Sequence, residues 1–142
     1  MNERRFCTFY VDRLLLGIAI ERVEEVLRDQ NITPVPLAHP DIAGLINLRG
    51  QIITAVDARG RLGLTARDGT ASPTIVVIRS GVEAVSLLVD RVGDVIEVDD
   101  DCFVGVPVTV GATISARTTG AYKLDGNLLL VLDPDDMLAV AS

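Results

Sequence analysis

The sequence predicts an all-β protein of about ten short strands, arranged as two small barrels packed side by side, with short helices near residue 60 and at the C-terminus. Three observations predict it. No window of about 11–18 residues sustains an apolar period near 3.6, whereas short apolar runs bounded by Gly, Pro, Asn and Asp recur throughout. Residues 44–57 are echoed by residues 120–133: Gly44, Leu48, Gly50 and Asp57 match Gly120, Leu124, Gly126 and Asp133 at a shift of 76, and Leu62 matches Leu138. Residues 20–27 are echoed by residues 89–96 at a shift of 69, with Arg22/Arg91, Val23/Val92 and Val26/Val95 identical. Two echoes in the same order mean one supersecondary unit used twice. The two shifts differ by seven residues, which a longer connection in the second half absorbs.

The elements follow in chain order. Residues 6–10 read as a strand, Asp12-Arg13 as a turn and residues 14–20 as the return strand, where Ile18, Ala19 and Ile20 alternate large and small. Residues 22–28 hold Val23 and Val26 three apart, but β-branched side chains favour a bent extended segment over a helical turn. Pro34 and Pro36 exclude a helix interior. Arg49-Gly50 is a tight turn leading into a core strand at residues 52–56, closed by Asp57. Its echo Asp133 precedes Pro134, the signature of an N-cap with proline at the first helical position, so a short helix is expected at residues 134–140. A weaker one is expected at residues 57–64, loosened by Gly60 and Gly63. Residues 65–73 read as a surface loop between the halves, followed by a hairpin of residues 74–78 and 85–89 and a strand at residues 95–98. The run Asp99-Asp100-Asp101 reads as a turn, and Val104, Val106, Val108 and Val110 as one apolar side of an edge strand or extended arm. Asp125-Gly126 between two apolar runs is the strongest hairpin signal.

The chain of 142 residues is about one domain, with approximate lobes 1–70 and 71–142; strand exchange between them is compatible with the echoes. Each lobe alone would bury too little surface, so the two should share a core or pack tightly against each other. Apolar residues make up 49 % of the chain, yet Trp is absent, so Val, Ile and Leu build the interior. A net charge of −7 argues against nucleic acid, which needs a basic face, and against an anionic membrane surface. Cys7 and Cys102 make no disulfide framework. The N-terminal residues lack the apolar core of a signal peptide, and a soluble, cytoplasmic protein is expected.

Catalytic chemistry finds no foothold. His39 is the single histidine and sits beside a proline, where a turn role is expected. One histidine and no cysteine pair at ligand spacing exclude the usual zinc sites, and neither acidic cluster, 99–101 or 133–136, has calcium-loop spacing. Lys123 is the single lysine, and there is no phosphate-cradling glycine loop or nucleophile elbow. No catalytic residue, cofactor or metal is expected. The informative positions are those where the halves differ: Glu25 against Asp94, Asn47 against Lys123, and Arg49 against Asp125. Only the first half can form an ion pair, Glu25 to Arg49, as a brace on the turn.

These same residues resemble a known family. Gly44-Leu45-Ile46-Asn47-Leu48-Arg49-Gly50, followed by Ile52-Ile53 and Val56-Asp57, is similar to the signature of CheW-type chemotaxis coupling proteins. Val23-Glu24-Glu25-Val26 with Arg28, Ile32-Thr33-Pro34-Val35-Pro36, residues 87–92, and residues 130–133 with Leu138 resemble further family segments in the same order. Thr54 and Ser86 depart from the family's usual proline and glycine. The resemblance implies two five-stranded SH3-like barrels and a non-catalytic scaffold in one CheW-like domain. It implies two partners, the cytoplasmic tip of a chemoreceptor and the regulatory domain of the histidine kinase CheA, and a place in the cytoplasm beside membrane-bound receptor arrays. The receptor-facing residues it implies are Val23, Glu25, Val26, Asn47, Arg49 and Gly50, with Ile75 and Val76 lining the same groove. Two alternatives stand beside it. One is the regulatory domain of a CheA-type kinase, disfavoured because the sequence begins at Met1 and carries no ATP-binding or phosphotransfer region; the other is a small barrel that binds a peptide or ligand outside chemotaxis.

Overall fold

The computed structural model describes residues 3–65 and 72–141. Its strands are β1 (Glu3–Val11), β2 (Leu14–Ala19), β3 (Val23–Arg28), β4 (Ile42–Leu48), β5 (Gln51–Asp57), β6 (Thr74–Ser80), β7 (Glu83–Val89), β8 (Arg91–Asp99), β9 (Thr118–Leu124) and β10 (Asn127–Leu132). Short helices are α1 (Ala58–Arg61) after β5, α2 (Ala112–Ala116) before β9 and α3 (Pro134–Met137) after β10.

The strands form two five-stranded sheets. Sheet I runs β8-β1-β2-β10-β9 and sheet II runs β3-β6-β7-β5-β4. With β1–β5 as one repeat and β6–β10 as the other, each sheet takes the first two strands of one repeat and the last three of its twin. A division near residue 70 therefore does not describe the sheets, because each draws strands from both sides of it. The expected barrels are packed sheets whose first and last strands are not hydrogen-bonded to each other.

The repetition extends to register. In the parallel pair of sheet I, Val131 faces Gly17; in that of sheet II, Ala55 faces Ser86, which are the same positions under the two shifts. The hairpins match too, Ile46 facing Ile53 and Tyr122 facing Leu129. So do the irregularities. β4 shifts register between Ile42 and Gly44, and its twin pairing shifts between Val131 and Leu132, opposite Thr118 and Gly120. β3 shifts between Val23 and Glu25, and the β1–β8 pair shifts between Cys7 and Phe9, where Val92 and Val95 are their partners. A bulge adds a residue and bends its strand, so the same bend was used twice.

Three cores hold the sheets. Phe6, Leu15, Val98, Tyr122, Leu129 and Val131 fill sheet I; Ile46, Ile53, Ala55, Ile75, Val77 and Leu88 fill sheet II. A third, shared core lies between them, with Phe9, Leu16 and Ile18 from sheet I meeting Val76, Ile78, Leu87 and Val89 from sheet II. Strands β2, β6 and β7 are thus covered on both faces. That is why Ile75-Val76-Val77-Ile78 is a continuous apolar run and not an alternation.

The helices pin this arrangement. Asp57 caps α1 by accepting from the Arg59 N–H at 3.0 Å, and Asp133 caps α3 by accepting from the Asp135 N–H at 3.1 Å. The expected helix at residues 134–140 is a single α turn followed by a 3-10 turn at Ala139–Ala141. Of the two expectations for residues 104–110, an edge strand or an extended arm, the strand is absent: Phe103 bridges to Tyr122, the Val104 N–H donates to the Ala121 carbonyl at 2.9 Å, and Val108–Val110 is a 3-10 turn. Helix α2 was not foreseen, because five residues are too few to show a period; Gly111, at φ 89, turns the chain into it. Most of the loop expected at residues 65–73 lies outside the described residues.

Charges tie the two repeats together. Arg61 is almost wholly buried; its Nε donates to the Met137 carbonyl at 3.1 Å, its Nη2 to the Asp136 carbonyl at 2.7 Å, and Nη1 lies 3.6 Å from Asp41 Oδ2. Arg117 donates to Asp136 Oδ2 at 2.9 Å and to the Arg61 carbonyl at 3.2 Å. At one end, Arg59 reaches Asp90 Oδ2 at 2.7 Å and Asp12 Oδ1 at 2.6 Å. The Asp90 hydrogen bonds, joined by Asp12, hold the Arg59 guanidinium above its ordinary pKa despite partial burial. At the other end Asp135, the twin of Arg59, receives Arg22 at 2.6 Å.

Candidate functional site

The positions where the halves differ meet at one corner of sheet II. The hairpin β4–β5 closes with Leu48 facing Gln51, and Arg49 and Gly50 form its two-residue turn with φ 53 and φ 84. Positive φ at both turn residues is the backbone twist that joins antiparallel strands directly. Gly50 adopts it at no steric cost; Arg49 does not. The Asn47 side-chain carbonyl accepts from the Gly50 N–H at 2.9 Å.

Arg49 reaches across to β3, the opposite edge of the sheet. Its Nη1 lies 2.8 Å from Glu25 Oε2, and its Nη2 lies 2.8 Å from Oε1 and 2.7 Å from Oε2. Both carboxylate oxygens are taken, a fork that only a guanidinium can offer. The pair spans the seam where sheet II is not closed by backbone hydrogen bonds. The arginine side chain remains 67 % exposed and the glutamate 30 %, so the outer face of a neutralised pair is presented to solvent. An exposed pair of this kind contributes little to folding.

Beside it Val26 is 37 % exposed, an apolar side chain without full cover. Val23 is half-buried and packs on the shared core. Of the eight residues expected at one site, Val23 thus stands apart on the shared core and the other seven separate into two groups. Glu25, Val26, Asn47, Arg49 and Gly50 belong to the exposed corner or its rim. Ile75 and Val76 are fully buried in β6, Ile75 in the sheet II core and Val76 in the shared core. They do not line a surface; they back β3, where Val26 faces Val76 and Leu27 faces Ile75.

One neighbouring contact was missed by sequence reasoning. Glu24 pairs with Arg79 of β6, which also donates to the Val82 carbonyl at 3.2 Å. The signal was the Glu24-Glu25 doublet standing opposite Gly93-Asp94 in the other repeat. The bulge between Val23 and Glu25 lets both glutamates meet arginines on different elements.

The twin corner in sheet I is built differently. Lys123 replaces Asn47, Asp125 replaces Arg49 and Asp94 replaces Glu25. Gly126 has φ 75, but Asp125 is not left-handed. His39 acts as a turn residue: its Nδ1 accepts from the Asp41 N–H at 3.0 Å. No helix among the described residues is long and apolar enough to cross a membrane.

Known proteins share this framework. The family model of the CheW-like domain matches residues 5–142. A chemotaxis protein CheW of Thermotoga maritima is 31 % identical over 139 residues, covering 97 % of this chain and 89 % of its own. A chemotaxis protein CheW of Bacillus subtilis is 28 % identical over 134 residues, covering 94 % and 86 %. The crystal structure of the scaffolding protein TtCheW from Thermoanaerobacter tengcongensis superposes with a TM-score of 0.82 at 29 % identity, over 93 % of this chain and 90 % of that one. Two sheets with duplicated bulges, the Asn-Leu-Arg-Gly corner and a match over nearly the whole length together place this chain in the CheW-like domain family of chemotaxis scaffold proteins.

Proposed function

We propose that this protein is a non-catalytic scaffold that couples the cytoplasmic tip of chemoreceptors to the regulatory domain of the histidine kinase CheA. It works in the cytoplasm and reaches membrane-bound arrays through protein contacts alone. The observation that carries the reading is the Glu25–Arg49 pair, which clasps an open sheet seam on the surface while adding little to stability. A costly left-handed arginine and a bidentate carboxylate fork make sense as a shaped surface for a partner. Val23 and Val26 add apolar area of the kind that a helical receptor tip buries in a groove, with Asn47, Arg49 and Gly50 forming the polar rim. The kinase partner meets another surface of the same fold. Such an interface is modest and reversible, near the roughly 1,200 Å² lower class.

The test is binding of a receptor cytoplasmic fragment to Arg49→Asp. Binding should be lost, while the unfolding free energy should change by no more than about 1 kcal/mol. Undiminished binding removes the assigned contact. A pull-down with an isolated CheA regulatory domain tests the second partner separately, and Arg49→Asp should leave that capture intact.

A further inference from the structure

We propose that Asn47 is a positioning residue, whose side-chain carbonyl holds the Arg49–Gly50 turn left-handed and so aims Arg49 at Glu25. The inference rests on the reading of this corner as the receptor contact. It deepens that reading by moving Asn47 from the residues that touch the partner to those that shape the surface.

Three observations carry it. The first is the bond itself: Asn47 Oδ1 accepts from the Gly50 N–H at 2.9 Å, closing a ring around Arg49 from the strand side. The second is strain. Arg49 sits at φ 53, a region that disfavours every side chain with a Cβ, so something local must hold it there. The third is the internal control. The twin hairpin has the same register, with Leu124 facing Asn127 as Leu48 faces Gln51. It has a lysine at the position of Asn47, and an ammonium has no acceptor to offer. There the first turn residue, Asp125, is not left-handed, although aspartate tolerates that region better than arginine does. Turn shape follows the residue two places before it, not the turn residue's own preference.

The consequence reaches Arg49's partner. A guanidinium makes three contacts of 2.7–2.8 Å with one carboxylate only if its Cα starts from the right place and direction. Releasing the turn redirects the Cα–Cβ bond of Arg49 and opens the fork. The outer N–H groups that face a partner move with it.

The experiment uses the full chain with Asn47→Ala and Asn47→Asp. Asn47 is exposed, so both variants should fold. In the free protein, Asn47→Ala should speed exchange of the Gly50 amide and shift the Arg49 guanidinium Nη–H resonances, the donors to Glu25, toward those of an unpaired arginine. It should weaken binding of the receptor fragment about 3- to 10-fold, the range for one lost hydrogen bond. Asn47→Asp keeps an acceptor oxygen and should restore both signals, with binding within about twofold of the parent. The proposal is overturned if Asn47→Ala leaves the Gly50 amide and Arg49 resonances unchanged. It is equally overturned if Asn47→Asp restores the turn but not binding, since the Asn47 amide would then be touching the partner. The two signals are read without any receptor. Should Arg49→Asp prove harmless to binding, the contact assignment falls while the turn measurements still decide what Asn47 does.

Discussion

The corner at residues 47–50 and the corner at residues 123–126 occupy equivalent places in two sheets that share register, bulges and hairpin length. One holds Asn, a left-handed Arg and a bidentate partner on the opposite edge. The other holds Lys and Asp, with a second aspartate where the partner would stand. The comparison teaches that duplication preserved the frame and released one copy of its surface. What the backbone needs is repeated: Asp57 and Asp133 cap their helices, and Gly44 and Gly120 follow their bulges. The charge-paired corner, Glu25 with Arg49, has no counterpart at Asp94 and Asp125.

The comparison can be broken first at the axis between the repeats. Arg61 stands where its twin is Met137, and it bonds the carbonyls of Asp136 and Met137. Arg61→Met would match this one position to its twin and leave those carbonyls and Asp41 without their buried donor. Urea unfolding should show a loss of about 3 kcal/mol or more. A neutral result would mean that the axis is held by apolar packing alone.

A smaller effect separates the two bulge glycines. At Gly44, φ is 151 and an added Cβ would run into the Thr33 carbonyl oxygen, which is itself bonded to the Leu45 N–H. At Gly120 the obstacle is the Phe103 ring edge, 2.6 Å away, on a side chain that is 52 % exposed and can swing aside. Gly44→Ala should therefore cost about 2–3 kcal/mol and Gly120→Ala about 1 kcal/mol, by denaturant or thermal melts. Equal costs would show that the covering segments are equally free to move.

The smallest effect sharpens the corner comparison. Asp125→Arg supplies sheet I with the missing cation opposite Asp94. It should raise stability by no more than about 0.5 kcal/mol, as an exposed pair does, and leave receptor binding unchanged. A gain in binding would mean that the second corner is also a contact surface.

Much of this was legible in the residues. The echo between 44–57 and 120–133 announced the duplicated hairpins, because turn and cap chemistry depends on residues close in sequence. The contrast of Glu25 and Arg49 with Asp94 and Asp125 marked the ion pair for the same reason: once two hairpins are known to be alike, their differences stand out. Other features were out of reach. Ile75 and Val76 were expected in the groove from the family resemblance, and the residues themselves offered no check, since a β-branched run reads the same whether one face or both are covered. Helix α2 is too short to show a period. Arg61 and Asp136 lie 75 residues apart and meet only where two one-turn helices approach.

The order of residues by itself determined the strands, turns and caps, the duplication, and the single corner able to hold an ion pair. These depend on φ preferences, donors and acceptors within a few positions of one another. Only the tertiary structure decided that each sheet takes strands from both repeats and that Ile75 and Val76 lie between layers. Only it showed Asn47 reaching the turn beyond Leu48, and Glu24 finding an arginine of its own. Burial and side-chain direction are set by what packs on the far side of a strand, and no local pattern records that neighbour.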